Sequence, residues 1–315
     1  MSEGDNRCRL ALIGFGEAGS ILAAGFVAAR EYRVTAYDIL LDDPATELAM
    51  RARIHQIGAE VCDSFAAAAA NAAIIVSAVT ASAAGDVAAE AGRRLRAGQI
   101  FLDINSISPA SKQRNAAAVE TSGAAYVEAA VMAPVPPSGM RVPILLGGPR
   151  AADAKRLLDP AGMNLEISGA EIGKASAIKM CRSIMIKGLE ALVVECLQTA
   201  RLYGIEDTVL TSLGKSYPGI DWETQAGFLL GRVLQHGHRR AAEMREAAAT
   251  VAETGMAPLM AMAIAERQQR VADLVATAAP DLKTARDADW RQALDRLAEE
   301  AGLARPRAAT RVAAE

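Results

Sequence analysis

Residues 9–38 read RLALIGFGEAGSILAAGFVAAREYRVTAYD, and the order of residue types in that stretch decides the fold. An aliphatic run, Leu10–Gly14, passes directly into Gly14-Phe15-Gly16-Glu17-Ala18-Gly19. An Ala-rich helical run over Ser20–Arg30 follows, then a second extended run, Arg33–Asp38, with an acid at its end. Strand, glycine turn, helix and strand in that order form a βαβ unit, and the glycine spacing is the fingerprint of a dinucleotide site. Gly14 permits the tight turn, Gly16 lets the backbone approach a pyrophosphate, and Gly19 allows close helix–strand packing, while the helix N-terminus attracts phosphate charge. Phe15, Glu17 and Ala18 supply the backbone between the glycines. A glycine turn without a ligand is the competing reading, and the agreement of strand, helix and acid weighs against it. Asp38 is placed to accept the adenosine ribose hydroxyls and to repel a further phosphate, so NAD is expected over NADP. Its alternative role is to cap the turn before Asp42-Asp43-Pro44.

Outward from this unit the pattern repeats. Extended runs are expected at Ala73–Val79, Gln99–Asn105, Ala125–Met132, Val142–Gly147 and Asn164–Ser168, with a weaker one near Gly58–Val61, separated by Ala-rich helical segments. Ligands collect beyond the carboxyl ends of such strands, which brings forward Val79-Thr80 and Asp103-Ile104-Asn105-Ser106. Thr80 and Asn105 are candidate contacts for ribose and nicotinamide; Thr80 equally suits a helix cap.

After Gly169 the extended runs cease. Helical periodicity continues with breaks at Tyr203-Gly204, Tyr217-Pro218-Gly219 and Ala279-Pro280. The expectation is two domains, 1–168 for the dinucleotide and 169–315 all-helical, with a long apolar helix from Ile172 to about Leu202 as the spine. The stretch from Arg305 holds one large apolar side chain, Val312, and reads as a tail or an arm onto a partner subunit.

Composition excludes other classes. The 315 residues carry 34 Lys plus Arg against 37 Asp plus Glu, a net charge of -3, which provides no basic surface for nucleic acid. No apolar run is long enough for a membrane helix, and the opening MSEGDNR is too polar for a signal peptide, so a cytoplasmic protein is expected. Cys8, Cys62, Cys181 and Cys196 show no paired spacing, the last two standing about 22 Å apart along one helix, and read as reduced thiols.

The order of these pieces resembles the β-hydroxyacid dehydrogenase superfamily, which includes 6-phosphogluconate dehydrogenase and 3-hydroxyisobutyrate dehydrogenase. The resemblance spans nearly the whole chain and rests on Gly14–Gly19, on Asp103-Ile104-Asn105-Ser106-Ile107-Ser108-Pro109, on Tyr126–Val131, and on the helix carrying Gly173 and Lys179. The segments Lys187–Leu192 and Arg239–Met244 are similar to the helical domain of a phosphogluconate-dehydrogenase-like branch. The resemblance implies a Rossmann-type, mostly parallel α/β sheet followed by an all-α domain. It further implies hydride transfer between NAD and a small hydroxy or carbonyl compound, and a dimer, for which the Met-rich stretch Met256–Ile264 is a candidate interface. Lys179 matches the family's proton-exchanging lysine; a partly desolvated ammonium can also polarise a carbonyl.

Departures bear on the substrate. Typical members carry Asp-Ala-Pro-Val-Ser-Gly-Gly, whose last turn binds the substrate carboxylate, whereas this chain has Glu128-Ala129-Ala130-Val131-Met132-Ala133-Pro134. Met132 offers no hydroxyl and Pro134 no N–H. The family's asparagine one turn beyond the lysine is replaced by Arg182 and Ser183. Arg182 is a candidate for gripping an anionic substrate, with a surface ion pair as its alternative; Ser106 and Asn105 are candidates for touching both substrate and nicotinamide. Imine reduction and a non-catalytic dinucleotide sensor are the competing functions.

Three signals read as structural. His236-Gly237-His238 with Glu243 places its histidines on different helix faces, against a metal site, and the glycine suggests flexibility. Arg239, Arg240, Glu243 and Glu246 are spaced for ion pairs on a solvated face, with pocket lining as the alternative. Tyr217–Trp222 reads as a half-buried turn.

Overall fold

The computed structural model describes residues 7–283 and 289–304. The tail beginning at Arg305 and the first six residues, on which two of the readings above fall, lie outside them. Two compact units are present, Met1–Met180 and Cys181–Glu315.

The first unit alternates strands and helices. In chain order it runs β1 (Cys8–Ile13), α1 (Glu17–Ala28), β2 (Tyr32–Tyr37), α2 (Glu47–Ile57), β3 (Glu60–Val61), α3 (Phe65–Ala69), β4 (Ile74–Ser77) and α4 (Ala84–Arg94). It continues through β5 (Ile100–Asp103), α5 (Pro109–Glu120), β6 (Ala125–Val131), α6 (Val135–Ser138), β7 (Pro143–Gly147), α7 (Ala151–Leu158) and β8 (Asn164–Gly169), and takes in the first turns of α8 (Lys174–Tyr203). The eight strands form one sheet in the order β3-β2-β1-β4-β5-β6-β7-β8. Pairing is parallel from β3 to β6, antiparallel between β6 and β7, and parallel again to β8. The mostly parallel α/β sheet expected from the sequence is therefore the fold. Chain order reverses between β1 and β4, the switch point at which open α/β sheets bind ligands.

Helices cover both faces of the sheet, so successive strand residues enter different cores. Leu10 and Leu12 join Phe26 and Val34 on one side, while Ala11 and Ile13 join Phe65, Phe101 and Tyr126 on the other. That double burial explains why the strands read as unbroken apolar runs. The Ala-rich tracts are packing surfaces: a Cβ added at Gly92 would lie 2.2 Å from the Ala118 carbonyl oxygen, so only small residues let α4 and α5 approach. Ser108 caps α5 through the Ser111 N–H, with Pro109 opening the helix.

The second unit contains the remainder of α8 followed by α9 (Glu206–Ser216), α10 (Trp222–Ala252), α11 (Leu259–Thr277) and α12 (Trp290–Glu300). Val194, Leu197, Leu230, Val233, Val271, Val275, Trp290 and Leu294 form its core. Gly237, expected to loosen α10, does the reverse. A Cβ there would stand 2.7 Å from the Ala272 Cβ and 2.9 Å from the Gln268 carbonyl oxygen, so the glycine lets α11 pack directly on α10 at this position. Arg240 likewise departs from a solvated face: it is buried and pairs with the buried Glu190 on α8 at 3.0 Å. Helical spacing alone does not reveal which face of a helix a neighbour covers.

Candidate functional site

The turn after β1 has the geometry its glycines promise. Gly14 adopts φ +91°, and a Cβ there would lie 2.5 Å from the Ala78 carbonyl oxygen. At Gly19 a Cβ would fall 2.1 Å from the Gly14 carbonyl oxygen, so α1 could not seat against the turn with a larger residue. Gly16 differs: the space its Cβ would occupy has no heavy atom within 4 Å. Gly16 is also the N-cap of α1 and provides no side chain to satisfy the first-turn N–H groups. An open backbone surface at a helix N-terminus that no N-cap side chain covers is what a diphosphate requires.

Asp38 closes this turn from the end of β2. One carboxylate oxygen accepts the Phe15 N–H at 2.6 Å and the other the Leu40 N–H at 3.0 Å. The capping alternative is thus realised together with a second bond to the fingerprint, and each oxygen retains a further acceptor site. Sequence reasoning missed Arg53 on α2. Its guanidinium donates to Ser20 Oγ at 2.9 Å and to the Gly16 carbonyl at 3.3 Å, placing a positive charge beside the turn. Glu17 and Ala18 form the first turn of α1.

At the ends of β4 and β5, Asn105 ties two strands together. Its Oδ1 accepts the Val79 N–H at 2.8 Å and its Nδ2 donates to Ser77 Oγ at 3.0 Å. Thr80 precedes a short 3-10 turn but makes no side-chain cap; its hydroxyl shares a 3.0 Å hydrogen bond with Ser82. Under this loop sits a buried charge pair. Asp103 and Lys112 meet at 2.9 Å, and Asp103 also receives the Tyr126 hydroxyl at 2.7 Å. Burial, with the Asp103 charge next, holds the Tyr126 phenol well above its ordinary value.

The structure joins two of the predicted residues directly: the half-buried Lys179 donates from Nζ to Ser106 Oγ at 2.5 Å. One turn earlier the Ser176 hydroxyl donates to the Ile107 carbonyl. The N–H groups of Gly173, Ala175 and Ser176 all point at Glu128, whose pKa burial pushes up while Lys112 and these donors pull it down. The signal for Glu128 was legible, since an acid in the middle of an apolar strand demands partners. Met132 begins the loop after β6, and its N–H is engaged by the Pro143 carbonyl at 2.9 Å.

Residues 9–168 match the family model described as the NAD binding domain of 6-phosphogluconate dehydrogenase. The chain belongs to that family. Residues 200–271 match a domain of unknown function. A conserved hypothetical protein from Sinorhizobium meliloti is 38% identical, with 93% of this chain and 96% of that chain covered and a TM-score of 0.78. A second solved protein, of unknown function and described as structurally similar to 3-hydroxyacid dehydrogenases, is 32% identical over 84% of this chain and 97% of its own, with a TM-score of 0.69. The 3-hydroxyisobutyrate dehydrogenase of Mycobacterium tuberculosis, solved with L-serine, shares the fold at 20% identity and a TM-score of 0.68, covering 92% of this chain and 99% of its own.

In this 6-phosphogluconate dehydrogenase-type domain the residues fit an NAD(P) cofactor: the uncapped α1 terminus and the open space over Gly16 suit its pyrophosphate, and Asp38 suits a ribose. Arg182 and Ser183 belong to the second unit, where Arg182 is exposed and Ser183 is buried and accepts from Lys187 Nζ at 3.1 Å. There Glu190 also receives Gln268 Nε2 at 3.1 Å, and Lys187 pairs with Glu243 at 3.0 Å. The same unit holds an apolar cavity of about 190 Å³ lined by residues that include Leu189, Leu192, Leu210, Leu213 and Trp222. His238 stands 3.7 Å from Asp273, and among the described residues no group of three His, Cys, Asp or Glu is placed to hold a metal. Among the same residues no helix is long and apolar enough to cross a membrane.

Proposed function

We propose that this protein is an NAD-dependent oxidoreductase acting on a small hydroxy or carbonyl compound, with Lys179 exchanging the proton. The observation that carries the reading is the Lys179–Ser106 hydrogen bond just beyond the carboxyl end of β5, in the sheet whose switch point carries the glycine turn. The backbone of Gly14–Gly19 and the terminus of α1 hold the diphosphate, Arg53 adds positive charge beside it, and Asp38 accepts the ribose hydroxyls. Val79, Thr80 and Asn105 border the nicotinamide end. When bound, the nicotinamide supplies or takes up the hydride. Lys179 gives its proton to a substrate carbonyl oxygen during reduction and recovers one from the hydroxyl in the reverse direction; Ser106 aligns the amine.

Met132 and the prolines after it offer little to a carboxylate, which favours a substrate whose anionic group, where it has one, lies away from the reacting carbon. The same loop supports imine reduction as the second reading. Met256, Leu259, Met260 and Met262 are all at least half exposed and support self-association as a homodimer.

Fluorescence titration with NADH and NADPH, followed by a turnover screen of hydroxy acids, diols, aldehydes and imines with wild type and Lys179→Met, tests the proposal. Expected are tighter NADH binding, intact in the variant, and turnover reduced by about 10²-fold or more. Equal turnover in the variant would remove Lys179 from the chemistry. Tight NADH binding with no turnover on any compound would point to a sensor.

A further inference from the structure

Glu128 stands mid-strand in β6 and is fully buried, yet the reaction proposed above does not use it. Its Oε1 accepts the N–H groups of Gly173 at 2.7 Å and Ala175 at 3.0 Å, and its Oε2 accepts that of Ser176 at 3.2 Å. These are donors that the start of α8 would otherwise leave unsatisfied. The backbone is shaped around the carboxylate. A Cβ at Gly147 would lie 2.5 Å from Oε1, and Gly173 turns the chain into the helix at φ +103°. Lys112, paired with Asp103, is the cation whose charge acts on Glu128, and Tyr126 faces it from the same strand.

From that anchor, successive turns of α8 touch successive residues of the loop after β5. Ser176 holds the Ile107 carbonyl and Lys179 holds the Ser106 hydroxyl. A helix rotates about 100° per residue, so a slip of one position would swing Lys179 away from Ser106. We infer that Glu128 is a positioning residue: its carboxylate, gripping three backbone N–H groups at the start of α8, sets the helix register that delivers the Lys179 amine to Ser106. Charge-assisted bonds to backbone donors have the strength this role needs, and an acid at a helix N-terminus also suits the dipole.

The inference rests on Lys179 as the proton-exchanging group, but its test uses neither substrate nor cofactor, so the two readings fail separately. Acetic anhydride acetylation of Lys179, read by peptide mass spectrometry against the exposed Lys174 on the same helix, reports the amine's freedom. In wild type Lys179 should react more slowly than Lys174. Glu128→Gln, which keeps the volume but gives the three donors only one acceptor oxygen, should raise the Lys179:Lys174 ratio about tenfold. Ser106→Ala should raise it similarly, and the double variant should go no further than either single change. Glu128→Asp, which keeps the charge on a shorter arm, should fall between wild type and Glu128→Gln. A wild-type ratio in folded Glu128→Gln, or multiplying effects in the double variant, overturns the inference. Should Glu128→Gln fail to fold by near-UV circular dichroism, Glu128→Asp carries the test alone, since its shorter arm cannot reach all three donors as Glu128 does, and a wild-type ratio there overturns the inference equally.

Discussion

Asp38 accepts the Phe15 N–H at 2.6 Å, so the acid that ends β2 is bonded to the glycine turn that ends β1. On the proposed NAD-dependent reading, the selectivity of the site and the stability of its turn are therefore coupled. Asp38→Asn keeps one acceptor oxygen and removes the charge that repels an additional phosphate. It should narrow the NADH-over-NADPH preference by roughly tenfold, because like-charge juxtaposition is costly. Asp38→Ala should in addition lose about 1–3 kcal/mol of stability through the stranded buried donor. Fluorescence titration with both cofactors, beside urea melts, measures the two effects separately.

Gly19→Ala places a methyl group 2.1 Å from the Gly14 carbonyl oxygen, a backbone atom with nowhere to move. NADH binding should fall by at least about tenfold and stability by roughly 1–3 kcal/mol, the range for overpacking. Gly16→Ala meets no protein atom within 4 Å. It should leave the melt unchanged and weaken only cofactor binding. A loss of stability in Gly16→Ala equal to that in Gly19→Ala would contradict this division of roles.

Lys112 neutralises Asp103 where both are essentially out of solvent, with 1% and 0% of the side chains exposed. Lys112→Met strands a buried carboxylate and should cost about 3–5 kcal/mol. Lys112→Met combined with Asp103→Asn should recover much of that loss, since the stranded Asp103 charge is gone and Glu128 keeps its three backbone donors. Chemical denaturation of the two variants and wild type checks the order.

The Tyr32 hydroxyl donates to the Leu157 carbonyl at 2.7 Å, and burial, with Cys8 next, pushes this phenol up to about 12. A phenol whose folded pKa exceeds its unfolded value of 10.0 contributes its full stability below the unfolded value and loses it as pH rises through the folded one. Denaturant midpoints should therefore fall between pH 10 and about 12. Tyr32→Phe should flatten part of that fall while costing about 1 kcal/mol at neutral pH for the lost hydrogen bond.

The strands and the glycine turn were legible because each rests on a local rule. Leu10–Ile13 and Ile74–Val76 are apolar on successive residues because both sheet faces are covered, and Gly14 and Gly19 sit where any side chain would strike backbone. Glu128 in an otherwise apolar strand announced a buried acid but not its partners, which lie 45 to 48 residues further along. Arg53 was invisible for the same reason: nothing in its neighbours tells that α2 brings it to Ser20. Arg240 and Gly237 were misread because helical spacing fixes which residues share a face and leaves open what covers that face.

By itself, then, the sequence determined the α/β unit and its turn chemistry, since these depend on residues close together in the chain and on backbone sterics, while Lys179 stood out only through the family resemblance. The tertiary structure alone decided that Lys179 meets Ser106, that Glu128 seats the start of α8, and that Asn105 bonds Val79 instead of pointing outward. Those contacts join segments separated by many residues. Their geometry comes from the packing of the sheet and its helices, which no local pattern encodes.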